Sequence, residues 1–563
     1  MFKPIVRSLL LSGILCGVSP AWAEVDAGAY LAARQAAVSS DFAEGAQYYT
    51  KALISDPSNP LLLESAVTSF VALGQVDRAA PVAQVLVDLG IESQTANLVL
   101  VAKAAKSGDW MAIFDNLETG RSVSPLVDGL AQAWAAVGLG KMTQAIASFD
   151  EVIETEGMRS YGLYHKALAL ASVGDFEGAD AIFGAPGQAP LTARAAIAHA
   201  QVLSQLDRNA DALDMLDSAF GQSFDPGLAL LRDRLTSGEA LPFTIVAGPT
   251  EGFGEVIHMI AGLLRGEAQE TYTIQYTRIA EYLDPTNTDA IMLSAALLQT
   301  MDQYELASET LARVPQSSPS FPNAEMARID ALRRLDRPDA AIEVAEALAR
   351  TNAALPFVHS KLGDVLREQE RYSDAHEAYS AALDLYGPED PNRWLVLYAR
   401  AITSHAQDDW PPAEADFRAA LALRPDQPQV LNYLGYSLVE RGEKLDEALE
   451  MIETAVAARP DNGAIVDSLG WVLFQLGRYE EAVVHMERAA ALEAVDPIVN
   501  DHLGDVYWAV GRKIEAAFQW NRALSFDPDE ELATRIRAKL EQGLDAVLAA
   551  EGAEPMTVAN DDP

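Results

Sequence analysis

A fixed spacing of small side chains constrains this chain more than any other feature. Leu434-Gly435, Leu469-Gly470 and Leu503-Gly504 recur at steps of 35 and 34 residues, each followed by an alanine (Ala448, Ala482, Ala516) and, seven residues later, by a second (Ala455, Ala489, Ala523). Stepping backwards from Gly435, the same position falls on Ala401, Gly363, Ile329, Ala295 and Ala261, and one interval of 38 absorbs residues 386–391. The N-terminal part repeats too, at Ala33, Val67, Val101, Ala133, Ala167 and Ala200. A period of this length overrides the three or four ordinary domains that 563 residues would suggest. It gives about fourteen units, six before and eight after a break.

The period also indicates what each unit is. Two antiparallel helices joined by a short turn pack closely only where the side chains at their crossing are Gly or Ala, and larger residues on the same stripe fill the space around them. Phe149, Phe183, Tyr379 and Phe417 supply that bulk, each four residues after an alanine (Ala145, Ala179, Ala375, Ala413). Pro57, Pro285, Pro425, Pro460 and Pro528 end second helices, where a missing N–H does least harm. One helix pair cannot bury its own apolar face, so stability comes from stacking neighbours. The expected fold is an all-α solenoid of about fourteen helix-turn-helix repeats.

Residues 461–482, DNGAIVDSLGWVLFQLGRYEEA, resemble a tetratricopeptide repeat almost position for position. The resemblance is closest in 357–528, good in 252–350 and looser in 29–217, where Gly45 or Ile113 replaces the usual alanine. It implies a superhelical, non-enzymatic scaffold that binds other proteins. More narrowly, 430–528 together with an export signal resembles the bacterial envelope repeat protein that serves as adaptor for a carboxy-terminal-processing protease. Related repeat proteins also assist export of polysaccharide or outer-membrane components, which is the alternative role.

The remaining segments read as follows. Lys3 and Arg7, the apolar run from Leu9 to Val18 and Ala21-Trp22-Ala23 form a signal peptide over 1–23, with an apolar core about half the ~20 residues of a spanning helix. Ile14 follows Leu11-Ser12-Gly13 where a lipobox needs cysteine, and the single cysteine, Cys16, follows Leu15. Cleavage after Ala23 would leave a cysteine-free protein in the periplasm, a safe composition for an oxidising compartment. The loosely repetitive array covers 24–217, and a break with a Gly/Pro-rich insertion covers 218–251. Within it Phe243, Ile245 and Val246 are costly to leave in water and favour an ordered segment. The second array covers 252–528, 529–548 reads as a charged capping helix, and 549–563 as an acidic tail.

Charge and motifs narrow the function. There are 41 basic and 82 acidic residues, and losing Lys3 and Arg7 takes the balance from −41 to −43. That disfavours nucleic acid and anionic headgroups as partners, since both rest on clustered Lys and Arg. Gly138-Leu-Gly140-Lys141 lacks the upstream glycine of a phosphate loop, Ala135 standing there, and His376-Glu377 lacks a second histidine at Ser380. The eight histidines show no pair at ligand spacing. No catalytic residue, metal ligand or cofactor site is expected.

Binding is expected on the first helix of each pair, which lines the inner side of a helical solenoid. There residues 4, 7, 8 and 11 of the unit form the buried stripe, while 2, 5, 9 and 12 point roughly 130° away at about 100° per residue. With the repeated glycine as position 8, the groove positions hold Asn432 and Tyr436; Asp467, Trp471 and Phe474; and Asp501, Asp505 and Trp508. Earlier units add Tyr398 and His405, then Phe357 and Asp364. Aromatic rings beside acceptors suit protein or peptide segments that are apolar or basic. Only Arg367 sits where a carboxylate clamp would place its cations.

Overall fold

The computed structural model describes residues 27–185, 192–221 and 226–552, and every regular element among them is an α-helix. The expected segment 1–23 lies outside the described residues, as does 553–563 of the tail. Six helix pairs come first. They are α1 (Ala27–Val38) and α2 (Phe42–Ser55), α3 (Pro60–Ala72) and α4 (Val76–Asp88), α5 (Gln94–Ser107) and α6 (Trp110–Glu118). Next come α7 (Pro125–Gly138) and α8 (Met142–Glu154), α9 (Arg159–Ser172) and α10 (Phe176–Phe183), α11 (Ala193–Gln205) and α12 (Asn209–Phe220).

A single helix, α13 (Pro226–Thr236), precedes the irregular segment 237–248, and eight more pairs follow. They are α14 (Pro249–Leu264) and α15 (Glu270–Leu283), α16 (Thr288–Thr300) and α17 (Tyr304–Leu311), α18 (Phe321–Arg334) and α19 (Pro338–Thr351), α20 (Pro356–Glu368) and α21 (Tyr372–Leu385). The last four are α22 (Arg393–His405) and α23 (Trp410–Leu423), α24 (Pro428–Glu440) and α25 (Leu445–Ala458), α26 (Gly463–Gln475) and α27 (Tyr479–Leu492), α28 (Pro497–Ala509) and α29 (Lys513–Leu524). Two short helices end the described chain, α30 (Glu530–Gln542) and α31 (Leu544–Ala550), parted by Gly543 in the left-handed region at φ 87°. The fold is thus the expected all-α solenoid.

Local signals set these boundaries. Asn59, Ser93, Ser124, Asn462 and Asp496 begin helices by accepting backbone N–H bonds that the first turn leaves open. Proline at the first position of α3, α7, α24 and α28 gives up only an N–H that has no partner there. The repeated glycines mark the close crossings: a Cβ on Gly435 would lie 2.8 Å from Ile452 Cγ1, and one on Gly504 would lie 2.4 Å from the Trp520 ring.

The chain divides into two compact units, 1–341 and 342–563. In the first, α14 and α15 do more than open the second series of pairs: they pack across the first helices of the preceding pairs, α3, α5, α7 and α9. Phe253, Val256, Ile257, Ile279 and Leu283 are buried in one core with Val67, Leu98, Leu130 and Trp134. The approach is close because Gly252 carries no side chain; a Cβ there would lie 2.4 Å from Trp134. Arg278 Nε donates to the Ala72 carbonyl at 2.9 Å, and Lys106 Nζ to the Leu283 carbonyl at 3.1 Å. The inner face of the N-terminal repeats is therefore occupied by the chain itself. Segment 237–248 lies along α11, where Ser204 Oγ accepts from Leu241 N and Gln201 Oε1 from Thr244 N, both at 2.9 Å, with Leu241, Ile245 and Val246 buried.

In the second unit each pair packs on the next, and the first helices α24, α26 and α28 also touch one another, making a continuous inner face. Its C-terminal end is closed by α30, which rests on α29.

Candidate binding face of the C-terminal repeats

Successive first helices place equivalent residues side by side, so Asn432, Asp467 and Asp501 share one row of the face, and Tyr436, Trp471 and Asp505 the next. The structure gives these residues three different surroundings.

Asn432, Tyr436 and Asp467 meet in a pocket of about 350 Å³. His405, Tyr433, Ser437, Glu440, Ala464 and Ser468 line it as well, and Asp496, Ile498 and Val499 close it from the first turn of α28. Asn432 Oδ1 is buried there without a hydrogen-bond donor. Burial holds the Tyr436 hydroxyl well above the usual phenol range, with Glu440 and Asp467 adding to the shift, so it stays a neutral donor. Tyr433 stacks obliquely on Phe417 at 5.0 Å between ring centres, and His405 Nδ1 lies 3.2 Å from its hydroxyl. Ile498 remains half exposed at the rim. The lining contains carboxylates, an amide oxygen and aromatic rings, and neither Lys nor Arg.

Trp471 and Phe474 belong to a second environment. The Trp471 ring stacks on Phe474 at 4.9 Å and on His502 at 4.0 Å, nearly parallel to both. His502 Nδ1 sits 2.9 Å from Asp467 Oδ2, and both groups are buried. Burial alone would depress the imidazole, but the carboxylates of Asp467, Asp501 and Asp505 outweigh it and raise its pKa. Asp467 thus ties the pocket to this stack, while Phe474 is buried within the repeat.

Asp501, Asp505 and Trp508 form the third, and α30 and α31 cover it. Lys539 Nζ donates to Asp501 at 2.7 and 2.9 Å and to Asp505 at 2.7 Å, and Trp520 Nε1 donates to Asp505 at 2.9 Å. Trp508 donates to Asp545 at 2.9 Å and has Gly543 against its ring. These three predicted groove residues therefore bind the chain's own C-terminal helices and do not line the open pocket.

Helical direction alone could not find Tyr433, Ser468 or Ile498, which enter the pocket from neighbouring positions and from the next repeat. The sequence signal for Ile498 is an apolar residue in the exposed first turn of a repeat. Of the additional groove residues, His405 joins the pocket; Tyr398 packs on Phe417 and Tyr433. Asp364 accepts from the Tyr379 hydroxyl at 2.8 Å. In the first unit another pocket, of about 380 Å³, surrounds Glu255, whose carboxylate takes Arg194 Nε at 2.7 Å and the Tyr164 hydroxyl at 2.8 Å. These bonds hold α14 in place. Among the described residues no group of three or more His, Cys, Asp or Glu is arranged to hold a metal ion, and no helix is long and apolar enough to cross a membrane.

The tetratricopeptide repeat family matches residues 130–190, 360–428, 398–463, 434–497 and 469–531. A TPR repeat-containing protein of Pseudomonas aeruginosa, PA4667, is 31% identical over 166 residues, which make up 29% of this chain and 27% of that protein. The match thus spans about a quarter of that relative's length. Among solved structures, the Cut9–Hcn1 hetero-tetramer of the APC/C is similar over 92% of this chain and 96% of that one, at 15% identity and TM-score 0.38. A tetratricopeptide repeat protein from Parabacteroides merdae is similar over 45% of this chain and 96% of its own, at 16% identity and TM-score 0.37.

Proposed function

We propose that this chain, a tetratricopeptide repeat protein, is an exported scaffold that captures protein segments on the inner face of its C-terminal repeats and, in the bacterial envelope, links a protease to its substrates. The observation that carries the binding reading is the pocket of Asn432, Tyr433, Tyr436 and Asp467: a concave site with a bare amide oxygen, aromatic walls and no cation. Such a site favours apolar or basic segments, because rings bury area at low entropy cost and the acceptors need donors. An acidic chain, with 82 acidic against 41 basic residues, steers basic partners towards it. The adaptor role rests on the narrower resemblance of residues 430–528, and export on the pattern of the first 23 residues.

The test is affinity capture from envelope extracts followed by mass spectrometry, with wild type and Tyr436→Ala compared at equal folded concentration. We expect a processing protease and its substrates among the captured proteins, reduced about tenfold by the substitution, as for loss of a central aromatic anchor. Equal capture by both proteins would exclude the pocket, and capture of polysaccharide-export components instead would redirect the role.

A further inference from the structure

The C-terminal helix shows what the inner face of these repeats accepts. On α30, Ala533 and Ile536 are buried and Leu532 and Leu540 half buried, and within this apolar stripe stands Lys539, 1% exposed. An ammonium group entering a dry interior alone is strongly disfavoured. Here Asp501 and Asp505, one turn apart on α28, take all its short contacts, and the Trp520 ring lies 5.9 Å away. Arg535, one turn before Lys539, stands 3.8 Å from both carboxylates. The face thus binds a helix by an apolar stripe with a cation at its centre.

The same face is uncovered two repeats earlier. Asn432 is the repeat equivalent of Asp501, and Tyr436 that of Asp505. Around them lie the buried, donor-free Asn432 Oδ1, the exposed Glu440 carboxylate and the half-exposed apolar edge of Ile498. We infer that this pocket takes a helical segment of a partner protein whose apolar stripe carries one lysine or arginine, seated as α30 seats Lys539. The inference rests on the scaffold reading and specifies its ligand: a helix rather than an extended strand, a cation rather than an apolar side chain alone.

The probe is a synthetic peptide with the sequence of residues 529–548, labelled and bearing a photo-crosslinker, titrated into the full-length chain by fluorescence anisotropy. Saturable binding is expected. Replacing the peptide's lysine (Lys539→Met) or breaking its helix (Ile536→Pro) should each weaken binding about tenfold or more. In the protein, Tyr436→Ala should do the same, and the exposed Glu440→Lys, which reverses a rim charge without touching the core, covers the case in which the first variant misfolds. Crosslinks should map to α24 and α26. Equal affinity for the methionine or proline peptide overturns the inference, as do crosslinks confined to α28, which would mean exchange with the resident α30. If captured partners depend on Tyr436 while no lysine helix binds, the scaffold reading stands and this inference falls; if capture is also indifferent to Tyr436, both fall.

Discussion

At each helix crossing the packing is decided by which side chain meets the repeated glycine. Replacing a helical glycine with alanine gains about 1 kcal/mol of propensity, so the sign of the net effect depends on the neighbour. At Gly504 a Cβ would lie 2.4 Å from the Trp520 ring, which is fully buried and bonded to Asp505. At Gly470 the Cβ would meet Met486, 2.7 Å from its Cγ and 3.0 Å from its Sδ and Cε; that side chain is fully buried but, unlike a ring, can change its torsions. Gly504→Ala should therefore destabilise the C-terminal repeats by about 1–3 kcal/mol and Gly470→Ala by clearly less, read as urea midpoints by circular dichroism. Equal effects would mean that the partner residue does not set the crossing. These glycines were legible in the sequence because their spacing is their function. The orientation of Asn432, Tyr436 and Asp467 followed from helical geometry as well, and all three line one pocket. Trp471 shows where that reasoning stops: the helix directs its ring, but His502 on the next repeat covers one face of it.

Among the elements, α30 is the one whose attachment depends on charge state. Beneath it lie the carboxylates of Asp467, Asp501 and Asp505 with His502; Lys539 and Arg535 reach down to them from α30, and Glu551, just past α31, pairs with Arg535. Burial first, and the Asp505 carboxylate second, push the Asp501 carboxyl up to about 6 against the pull of Lys539. A carboxyl with a raised folded pKa imposes its penalty as pH climbs from its unfolded value near 3.8 through about 6. His502, also raised, adds stability that is complete below its ordinary 6.5 and fades above it. Both terms have the same sign, so the cap is tightest near pH 4 and loosens as pH rises, first through Asp501 up to about 6 and then, above 6.5, through the α28 surface that His502 helps to hold. Hydrogen exchange of α30, corrected for intrinsic rates, should show protection falling between about pH 4 and 8 while α24 changes little. His502→Gln should flatten the upper part of that fall, and protection that rises with pH would refute the network. The sequence predicts one charged capping helix over 529–548; the chain forms two helices there, parted by Gly543. The burial of one of these charges is not part of that expectation, although a lysine inside an apolar stripe is the mark to look for.

Over whole units, connectivity separates two kinds of cooperativity. A linear solenoid has only nearest-neighbour interfaces and frays from its ends. Residues 342–552 follow that pattern, with side-chain bonds such as His502 to Asp467 and Lys539 to Asp501 joining adjacent repeats or the cap. The first unit does not, because α14 and α15 bond to residues far upstream: Arg278 to Ala72, Lys106 to Leu283, Tyr282 to Asp77. Periodicity could place α14 and α15 as a repeat but could not show that they turn back onto earlier ones, since each pair in the period looks alike and the reversal is made by the irregular segment before Pro249. Gly252, next to Trp134, is the small trace it left. Phe253→Ala removes a ring that is 1% exposed in this shared core, at a cost of about 3–5 kcal/mol. Hydrogen exchange should then quicken together in α3, α5, α7 and α14, although α14 begins at Pro249, far down the chain from α7, which ends at Gly138. Ile452→Ala, equally buried on α25 and facing Gly435, should quicken exchange only in α24, α25 and their immediate neighbours. If the Phe253 variant loosens α14 and α15 alone, the inner packing is an accessory to an ordinary linear array; if α3 to α7 loosen with it, the N-terminal repeats and the helices they enclose are one folding unit.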